Sequence, residues 1–328
     1  MNRVPLGAVV ALLALFATAC PAHRKTSGAN SFTLAVIPQG STHEYWKSIH
    51  AGALEAVREE AGRGVHVDVI WKGPLREDDR EQQVQVVEGF ISQQVDGIVL
   101  APFDKNALAR PVEEARRAGI PTVVIDSALE SEAPISFVAS DNHHGGELAA
   151  DEMARLLGGK GKVLMLRYQE GVFSTEQREK GFVDGVAKYP GITLISSNQY
   201  AGATRDTAKS AAENLLNRYG DDLDGLFTPN ESSTAGTLLA LEDAGKAGAI
   251  RFLGFDTSEL FVKAMRAGEL QGIVVQNPYR MGTLGVETMV DHLLGKKVPA
   301  RVDTGVTLIT PANLETPEAH KLLHPPID

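Results

Sequence analysis

The sequence predicts an α/β fold of two lobes, each built around a parallel β-sheet that helices cover. From Phe32 onward, short apolar runs alternate with longer amphipathic stretches. The short runs are apolar throughout, as expected of strands whose two faces are both buried in a parallel sheet. About three hundred residues follow the amino-terminal segment, which is more than one hydrophobic core usually serves, so we expect two domains.

Ten apolar runs are predicted as strands, and helical patterns separate many of them. In chain order the strands are FTLAVIP, VHVDVIW, DGIVLAP, PTVVID, ISFVAS, KVLMLR, TLISSNQ, DGLFTPN, RFLGFD and GIVVQN. The helical patterns cover Trp46–Glu60, Glu81–Gln94, Ala107–Ala118, Gly145–Leu157, Thr204–Arg218, Ser233–Ala244 and Ser258–Ala267. Strands joined through helices are typical of parallel sheets.

A weak internal repeat supports two similar halves. Asp96–Pro102 and Asp224–Asn230 each follow a helix, begin with Asp-Gly and lead into another helix. Each segment also carries polar or proline residues at the carboxyl end of its strand. In an open parallel sheet that edge is where ligands bind.

Two polar segments are predicted to carry the chain between the lobes. VASDNHHGG, residues 138–146, joins a strand to a helix through polar and glycine residues. VVQNPYRMG, residues 274–282, does the same, and Pro278 separates its strand from the following helix. If both segments connect the same two lobes, each lobe is discontinuous in sequence and the connections form a hinge.

The amino terminus has the pattern of a secretory signal. Residues 1–19 hold one basic residue, Arg3, followed by an apolar run from Val4 to Ala19 that ends in small residues. The alternative is a buried core helix, although no face of the run is polar. We expect residues 1–19 to be a signal peptide and the protein to be exported.

Cys20 is the single cysteine and cannot form an intramolecular disulfide. Its position after Ala17-Thr18-Ala19 resembles the lipobox of bacterial lipoproteins, in which this sulfur is acylated and the cysteine becomes the new amino terminus. The alternative is an ordinary cleaved signal with an incidental cysteine. The resemblance implies a membrane anchor at Cys20, with residues 20–31 as a flexible linker.

Composition and missing motifs argue against several functions. The chain has 32 basic and 42 acidic residues and a net charge of −10, whereas a nucleic-acid binder needs a basic face. We find no GxGxxG after the first strand, no phosphate loop, no GxSxG elbow and no metal-ligand spacing. We therefore expect no nucleic-acid partner, no catalytic residue, no cofactor and no metal.

Polar and aromatic side chains gather at the predicted carboxyl ends of strands. They are Tyr45, Trp46, Asp126, Asn230, Asp256 and Gln276, with Arg178 near the start of a probable helix. Carboxylates and amides bind neighbouring hydroxyls of a sugar, an arginine donates several hydrogen bonds in fixed geometry, and rings cover apolar C–H faces. This set predicts a sugar site.

Each of these residues also has a purely structural interpretation. Asp126 or Asp256 alone would serve as a helix or turn cap. Arg178 alone would pair with Glu176 or Glu179 on a solvated face. Tyr45 and Trp46 would act as a staple that holds a helix to the sheet. All of these residues are predicted at the carboxyl-end edge of a sheet. That shared location favours a common site, because helix caps and staples would not be expected to cluster at one edge.

A family resemblance extends from about Phe32 to about Thr310. It is carried, in order, by the segments TLAVIP, EYWKSIHAGALEA, DGIVLAPFD, ARRAGIPTVVID, SFVASDN, REKGF, LFTPNE, GFD and GIVVQNPYRMG. These resemble the periplasmic sugar-binding proteins of ABC importers, ribose-binding type, which share the type I fold with the sensor half of lactose-repressor-like regulators. The resemblance implies two Rossmann-like lobes, 32–139 with 277–303 and 140–276 with 304–328, joined by a three-stranded hinge.

The resemblance also implies roles for individual residues. Tyr45 and Trp46 match the ring-stacking aromatics of the first lobe, and Gln39 and His43 match further loop positions of the site. The hydroxyl-binding polar set is matched by Asp126, Arg178, Asn230, Asp256 and Gln276.

Several positions depart from the family pattern. Ser127 stands where ribose binders commonly have arginine, and Ala203 stands where an aromatic ring is expected. Tyr200 is a candidate substitute for that ring. The loss of a donor and a ring argues against ribose itself. Trp71 is a candidate pocket wall, with core packing as the alternative.

The expected function is that of a monomeric, extracytoplasmic substrate-binding protein of an ABC importer. Its lobes would close on a monosaccharide or similar polyol, and the closed form would dock on a membrane permease. One alternative is a sensory protein that presents a sugar or autoinducer to a chemoreceptor or sensor kinase. Another is an enzyme that uses Asp126 and Asp256 as acid and base. A signal sequence occupies the place that a repressor's helix-turn-helix would need.

Overall fold

The computed structural model describes residues 30–41 and 43–324. These residues form two six-stranded sheets and ten helices. The predicted signal peptide and Cys20 lie outside the described residues. Within the described ranges, no helix has both the length and the hydropathy of a membrane-spanning segment.

The twelve strands of the described chain are numbered in sequence order. They are β1 (Ser31–Ile37), β2 (His66–Trp71), β3 (Gly97–Leu100), β4 (Thr122–Ile125), β5 (Ser136–Ala139), β6 (Lys160–Arg167), β7 (Gly191–Tyr200), β8 (Gly225–Phe227), β9 (Arg251–Phe255), β10 (Gly272–Gln276), β11 (Arg301–Asp303) and β12 (Val306–Ile309). The first sheet has the order β11-β5-β4-β3-β1-β2 and the second β12-β10-β9-β8-β6-β7. Among these strands, β12 alone pairs antiparallel, with β10. The predicted parallel α/β fold is confirmed.

The ten helices of the described residues follow the same numbering. They are α1 (Glu44–Gly62), α2 (Arg80–Gln93), α3 (Ala109–Arg117), α4 (Asn142–Leu156), α5 (Phe173–Val186), α6 (Arg205–Tyr219), α7 (Glu231–Asp243), α8 (Glu259–Ala267), α9 (Pro278–Leu293) and α10 (Pro317–Leu323). We call the first sheet with α1, α2, α3 and α9 the first lobe. The second sheet with the remaining helices is the second lobe.

Each sheet is buried between two layers of helices. In the first lobe, α1 and α9 pack on one face and α2 and α3 on the other, which forms two separate apolar cores. In the second lobe, α4 and α5 cover one face, and α6, α7, α8 and α10 cover the other. Central strands such as β3 and β8 are buried along their whole length, which is why their sequences are apolar without alternation.

The chain passes between the lobes three times. It leaves β5 for α4 after Ala139, leaves β10 for α9 after Gln276, and leaves β11 for β12 through Thr304 and Gly305. The Ser140 hydroxyl lies 3.1 Å from Thr304 Oγ1 and donates to the Gly305 carbonyl oxygen at 2.9 Å, so two of the crossings are tied together. On these crossings we propose lobe boundaries of 32–139 with 277–303 and 140–276 with 304–328.

Candidate functional site

A cleft between the two lobes brings together all nine residues that the sequence suggested for ligand binding. They are Gln39, His43, Tyr45, Trp46, Asp126, Arg178, Asn230, Asp256 and Gln276. The cavity in this cleft has a volume of about 40 Å³, a few times the roughly 10–15 Å³ that one water needs. The cleft is thus a tight space for one small molecule. Ligand binding by these residues remains a prediction.

Asp126 follows β4 and has a backbone φ of 63°, in the left-handed region, which aspartate tolerates better than most residues. The Tyr45 hydroxyl donates to its Oδ1 at 2.6 Å, and Gln39 Nε2 donates to its Oδ2 at 3.1 Å. Burial raises the pKa of Asp126 to about 6. Its carboxylate faces the cleft and does not cap a helix.

Arg178 is buried in α5, with 3% of its surface exposed. Its Nε donates to Asn142 Oδ1 at 2.8 Å and its Nη1 donates to the Pro229 carbonyl oxygen at 3.0 Å. The guanidinium lies 4.0 Å from the centre of the Phe255 ring and 3.9 Å from Asp256 Oδ2. The solvated ion pair proposed as an alternative is not observed.

A glycine lets α5 carry Arg178 to the cleft. A Cβ on Gly146 of α4 would lie 2.0 Å from the Arg178 carbonyl oxygen, so only glycine permits the two helices to approach this closely. Gly146, the second glycine of the VASDNHHGG segment, therefore helps to position the arginine.

Asp256 follows β9 and also has a left-handed backbone, with φ of 66°. Gln276 Nε2 donates to its Oδ1 at 2.8 Å, and the Glu231 backbone N–H donates to its Oδ2 at 3.1 Å. Burial raises the pKa of Asp256. Gln276 Oε1 is buried and has no hydrogen-bond partner among the described residues. An unpaired buried acceptor is costly. Gln276 lines the cleft, where a ligand hydroxyl would supply the missing donor.

Asn230 caps a helix, a role that the sequence analysis considered for Asp126 and Asp256, and it also lines the cleft. It is the N-cap of α7, where its Oδ1 accepts from the Ser233 backbone N–H at 3.3 Å. Its Nδ2 donates to the Ser232 hydroxyl oxygen at 3.1 Å. One amide proton remains for a ligand, because an amide nitrogen carries two.

Glu77 lines the cleft and was missed by sequence reasoning. Its Oε1 accepts from Trp46 Nε1 at 2.6 Å and lies 3.2 Å from His43 Nδ1, while its Oε2 accepts from the Tyr168 hydroxyl at 3.0 Å. Burial acts to raise the pKa of Glu77, but the hydrogen bond and charge of His43 and the other donors outweigh it and lower the pKa. The same hydrogen bond raises the pKa of His43.

Four further polar residues of the cleft were not predicted: Ser174 and Thr175 at the start of α5, and Tyr168 and Glu231 beyond strand ends. Tyr168 directly follows β6, and Glu231 comes three residues after Thr228, where β8 has ended. Glu231 pairs with Arg205, and its Oε2 lies 4.0 Å from His43 Nδ1 without a hydrogen-bond partner among the described residues. The strand-end rule would have found Tyr168 and Glu231 if it had been applied to every strand. Glu77 lies in a loop without such a signal.

The structure also locates three residues at which the sequence departs from the family pattern or suggests a further pocket wall. Ser127 is buried, and its Oγ accepts from the Ser174 backbone N–H at 3.1 Å. Tyr200 is 40% exposed with the Arg167 guanidinium 4.6 Å from its ring centre, so it does not replace the missing ring. Trp71 stacks on His50 at 4.5 Å and packs on the first-lobe core, which is the core alternative.

We expect the sugar-free protein to become more stable as the pH falls from 7 to 5. Burial raises the pKa values of Asp126, Asp256 and Glu231. A carboxyl group whose folded pKa exceeds its unfolded pKa stabilises the fold below about pH 4, and that stabilisation is lost as the pH rises through the folded value, about 6 for Asp126. Thermal unfolding at pH 5, 6 and 7 measures this dependence.

Asp126→Asn removes one of these titrations. The variant should be more stable than the wild type at pH 7 by about 1–2 kcal/mol, because the buried charge is gone while Gln39 loses an acceptor. Its stability should also vary less between pH 5 and 7. Asp68→Asn, on an exposed position of β2, is the matched control. A pH dependence in Asp126→Asn identical to that of the wild type would contradict the raised pKa.

The comparisons with known proteins assign the family. The family model described as a periplasmic binding protein domain matches residues 34–297. The chain belongs to this family. The ribose import binding protein of Bacillus subtilis (strain 168) is 30% identical over 316 residues, which cover 94% of this chain and 97% of that protein.

Solved structures agree with this assignment. A solute-binding protein of an ABC transporter from Agrobacterium vitis, with bound D-fucose, has a TM-score of 0.84 and 34% identity, and the match covers 89% of this chain and 100% of the other. A carbohydrate transporter solute-binding protein from Agrobacterium radiobacter, in complex with D-arabinose, has a TM-score of 0.83 and 32% identity, with coverage of 90% and 99%. These relatives of our periplasmic binding protein are transport proteins and not enzymes.

Proposed function

We propose that this protein is the substrate-binding component of an ABC importer and encloses one monosaccharide or similar polyol between its lobes. The observation that carries the proposal is the convergence of polar groups from both lobes on one tight cleft. Asp126 comes from the first lobe, and Arg178 and Asp256 come from the second. A ligand that contacts both sets binds the closed form better than the open form and thereby drives closure.

The chemistry of the cleft suits a ligand with several hydroxyl groups. Asp126, Asp256 and Glu231 are buried carboxylates, and Gln276 Oε1 and Glu231 Oε2 are acceptors without a partner in the described residues. Hydroxyl groups donate to such acceptors and can in turn accept from Arg178. With Glu77, the cleft has four carboxylates, and Arg178 is the buried cation that faces them. This excess of negative charge disfavours a phosphorylated or carboxylated ligand.

Aromatic rings of the first lobe supply an apolar wall. Tyr45 and Trp46 meet edge to face, with ring centres 5.0 Å apart and planes at 90°. Their side chains are fixed at the polar end, Tyr45 by Asp126 and Trp46 by Glu77. Rigid rings of this kind pack against the C–H face of a sugar with little loss of side-chain entropy.

Ribose is not the ligand that we favour. Ser127 is enclosed and its hydroxyl is used by the Ser174 backbone, so it offers the cleft no equivalent of an arginine fork. The solved relatives hold other sugars: D-fucose, D-arabinose and α-D-tagatopyranose. We propose a sugar or polyol of this size other than ribose.

The location we propose is extracytoplasmic, with Cys20 as a lipid anchor. The support is the sequence pattern of residues 1–19 and the membership of a family of periplasmic binding proteins. A flexible linker after the anchor would leave the lobes free to meet a permease.

Calorimetric titration with D-fucose, D-arabinose, D-tagatose, D-allose, D-ribose, xylitol and myo-inositol tests the function. We expect at least one of these compounds to bind with a Kd of about 1 μM or tighter, which is about −8 kcal/mol or better, and D-ribose to bind more weakly than the best of them. Thermal shift assays at saturating ligand should show the same ranking. An absence of heat and of thermal shift with every compound would contradict a sugar-binding role.

A further inference from the structure

The second lobe lacks an aromatic ring at the place where the family resemblance expected one. Ala203 occupies that place. The nearby Tyr200 is partly exposed to solvent, and the Arg167 guanidinium stacks on its ring. Neither residue lines the cleft. The cleft nevertheless has a second-lobe ring, because Tyr168 reaches it from the end of β6.

Tyr168 is held by contacts with the first lobe. Its side chain is 2% exposed, and it packs with Val172 of its own lobe and Phe103 of the first lobe. Its hydroxyl donates across the cleft to Glu77 Oε2 at 3.0 Å. These contacts join residues of different lobes, so they form only when the lobes approach.

Glu77 differs from the other carboxylates of the cleft in being satisfied by the protein. Trp46 Nε1, His43 Nδ1 and the Tyr168 hydroxyl all lie within 3.2 Å of its two oxygens. A carboxylate with three such donors has little capacity left for a ligand hydroxyl. Its position instead fixes an aromatic ring on each side of the cleft, Trp46 on the first lobe and Tyr168 on the second.

The segment that follows Tyr168 rests on the first lobe as well. Lys105 Nζ lies 2.6 Å from Glu176 Oε2, and the Lys105 backbone N–H donates to the Gly171 carbonyl oxygen at 3.2 Å. Arg80 Nη2 donates to the Glu170 carbonyl oxygen at 3.1 Å. Like the Glu77–Tyr168 hydrogen bond, these contacts join the second lobe to the first.

We propose that Tyr168 is the specificity-determining ring of the second lobe and that Glu77 is the positioning residue that sets it against the ligand when the lobes close. The inference rests on the proposed sugar-binding function. It assigns the second-lobe wall to the end of β6 in place of the loop at Ala203. It also implies that a hydrogen bond between the two lobes contributes to the free energy of closure.

Titration calorimetry with D-fucose, D-arabinose and D-tagatose on four variants tests the pair. Tyr168→Phe should weaken binding about tenfold or more and Glu77→Gln by about 10- to 100-fold, because each loses a hydrogen bond to a charged group. The double variant should bind about as weakly as Glu77→Gln alone, since both changes remove the same bond. Tyr200→Phe, the exposed tyrosine of the same lobe, should bind like the wild type.

Thermal unfolding separates positioning from a merely structural role. Without sugar, Tyr168→Phe should unfold at the wild-type temperature, because the open protein lacks the bond, whereas its sugar-induced rise in Tm should be smaller. Wild-type affinity in Tyr168→Phe and Glu77→Gln, or effects that simply add in the double variant, would overturn the proposal. A lower sugar-free Tm with unchanged affinity would overturn it as well.

Cross-linking gives a readout that needs no sugar, because an irreversible linker traps the closed form each time the open protein samples it. In a chain with Cys20 replaced by serine, Glu77→Cys/Tyr168→Cys should be joined by a short bismaleimide, and the control pair Glu77→Cys/Tyr200→Cys should not. If no tested sugar binds but the first pair is cross-linked, the sugar function fails and the pairing stands. If sugar binds and this pair is not cross-linked, the pairing is wrong and the function stands.

Discussion

Sugar binding is expected to fall by about 100- to 1,000-fold when Arg178 is replaced by methionine. The guanidinium is 3% exposed and lies 3.9 Å from Asp256 Oδ2. Its removal takes away the one cation that pairs with Asp256 among the described residues and leaves Asn142 Oδ1 without its donor. The ligand loses a charged group with several donors, and truncating one partner of a buried, hydrogen-bonded charged contact costs about 2–5 kcal/mol of binding free energy. Calorimetry with the sugar that binds the wild type most tightly measures the effect.

Two further variants make the Arg178 result specific. Arg178→Lys keeps the charge but not the planar set of donors, so we expect an intermediate loss. Arg110→Met removes an exposed arginine that, among the described residues, pairs only with Glu114 of its own helix, and it should bind like the wild type. Wild-type affinity in Arg178→Met would show that the site is elsewhere.

Replacement of Asp256 by asparagine is expected to weaken sugar binding by about 10- to 100-fold. The shape is kept, but the charged acceptor that faces the ligand and Arg178 becomes neutral, and hydrogen bonds to charged groups contribute about 1.5–3 kcal/mol. The backbone of Asp256 is left-handed, with φ of 66°, a conformation that asparagine tolerates and alanine does not. Calorimetry on the folded variant therefore reports on the charge.

Asp256→Ala provides the contrast for that experiment. It should bind at least as weakly and should also unfold at a lower temperature, because a side chain with a plain Cβ costs roughly 1–2 kcal/mol in the left-handed region and Gln276 loses its acceptor. Asp68→Asn, at an exposed position of β2, should leave the affinity for sugar unchanged. Equal affinity of Asp256→Asn and the wild type would exclude Asp256 from the ligand contacts.

The lobed α/β fold could be predicted because its strands are buried on both faces. GIVL of β3 and GLF of β8 are apolar without interruption and buried, and that pattern needs helices on both sides. Helices with a strong apolar stripe, such as α1 and α8, were predicted to within two residues at each end. Helix α5 was not delimited, because its buried face includes Ser174, Thr175, Arg178 and Glu179, which a search for apolar periodicity does not count.

Short hinge strands could not be read from residue patterns. β11 spans Arg301–Asp303 and alternates exposed and half-buried residues, and β12 spans Val306–Ile309 and is buried only at Ile309. Three or four residues carry too little periodicity to be separated from a loop. Their pairing with β5 and β10 is a tertiary effect, since each strand extends the edge of a sheet that is already formed.

The candidate site was predictable to the extent that it follows strand ends. Asp126 and Asp256 follow strands whose carboxyl ends converge in any open parallel sheet. Glu77 had no such signal, because it lies in the long connection between β2 and α2 and reaches the cleft through that loop alone. The state of each carboxyl group could not be predicted either, since it depends on which donors surround it. Glu77 has three donors, whereas Oε2 of Glu231 has none among the residues that the structure describes.

A crystal structure of the protein with the best-binding sugar of the panel tests the central claim most directly. The account predicts one sugar ring in the cleft, with hydroxyl groups within hydrogen-bond distance of Asp126 from the first lobe and of Arg178 and Asp256 from the second. It also predicts a ring face against Trp46 or Tyr45. A sugar bound outside this cleft, or held by one lobe while the other stands apart, would contradict the account.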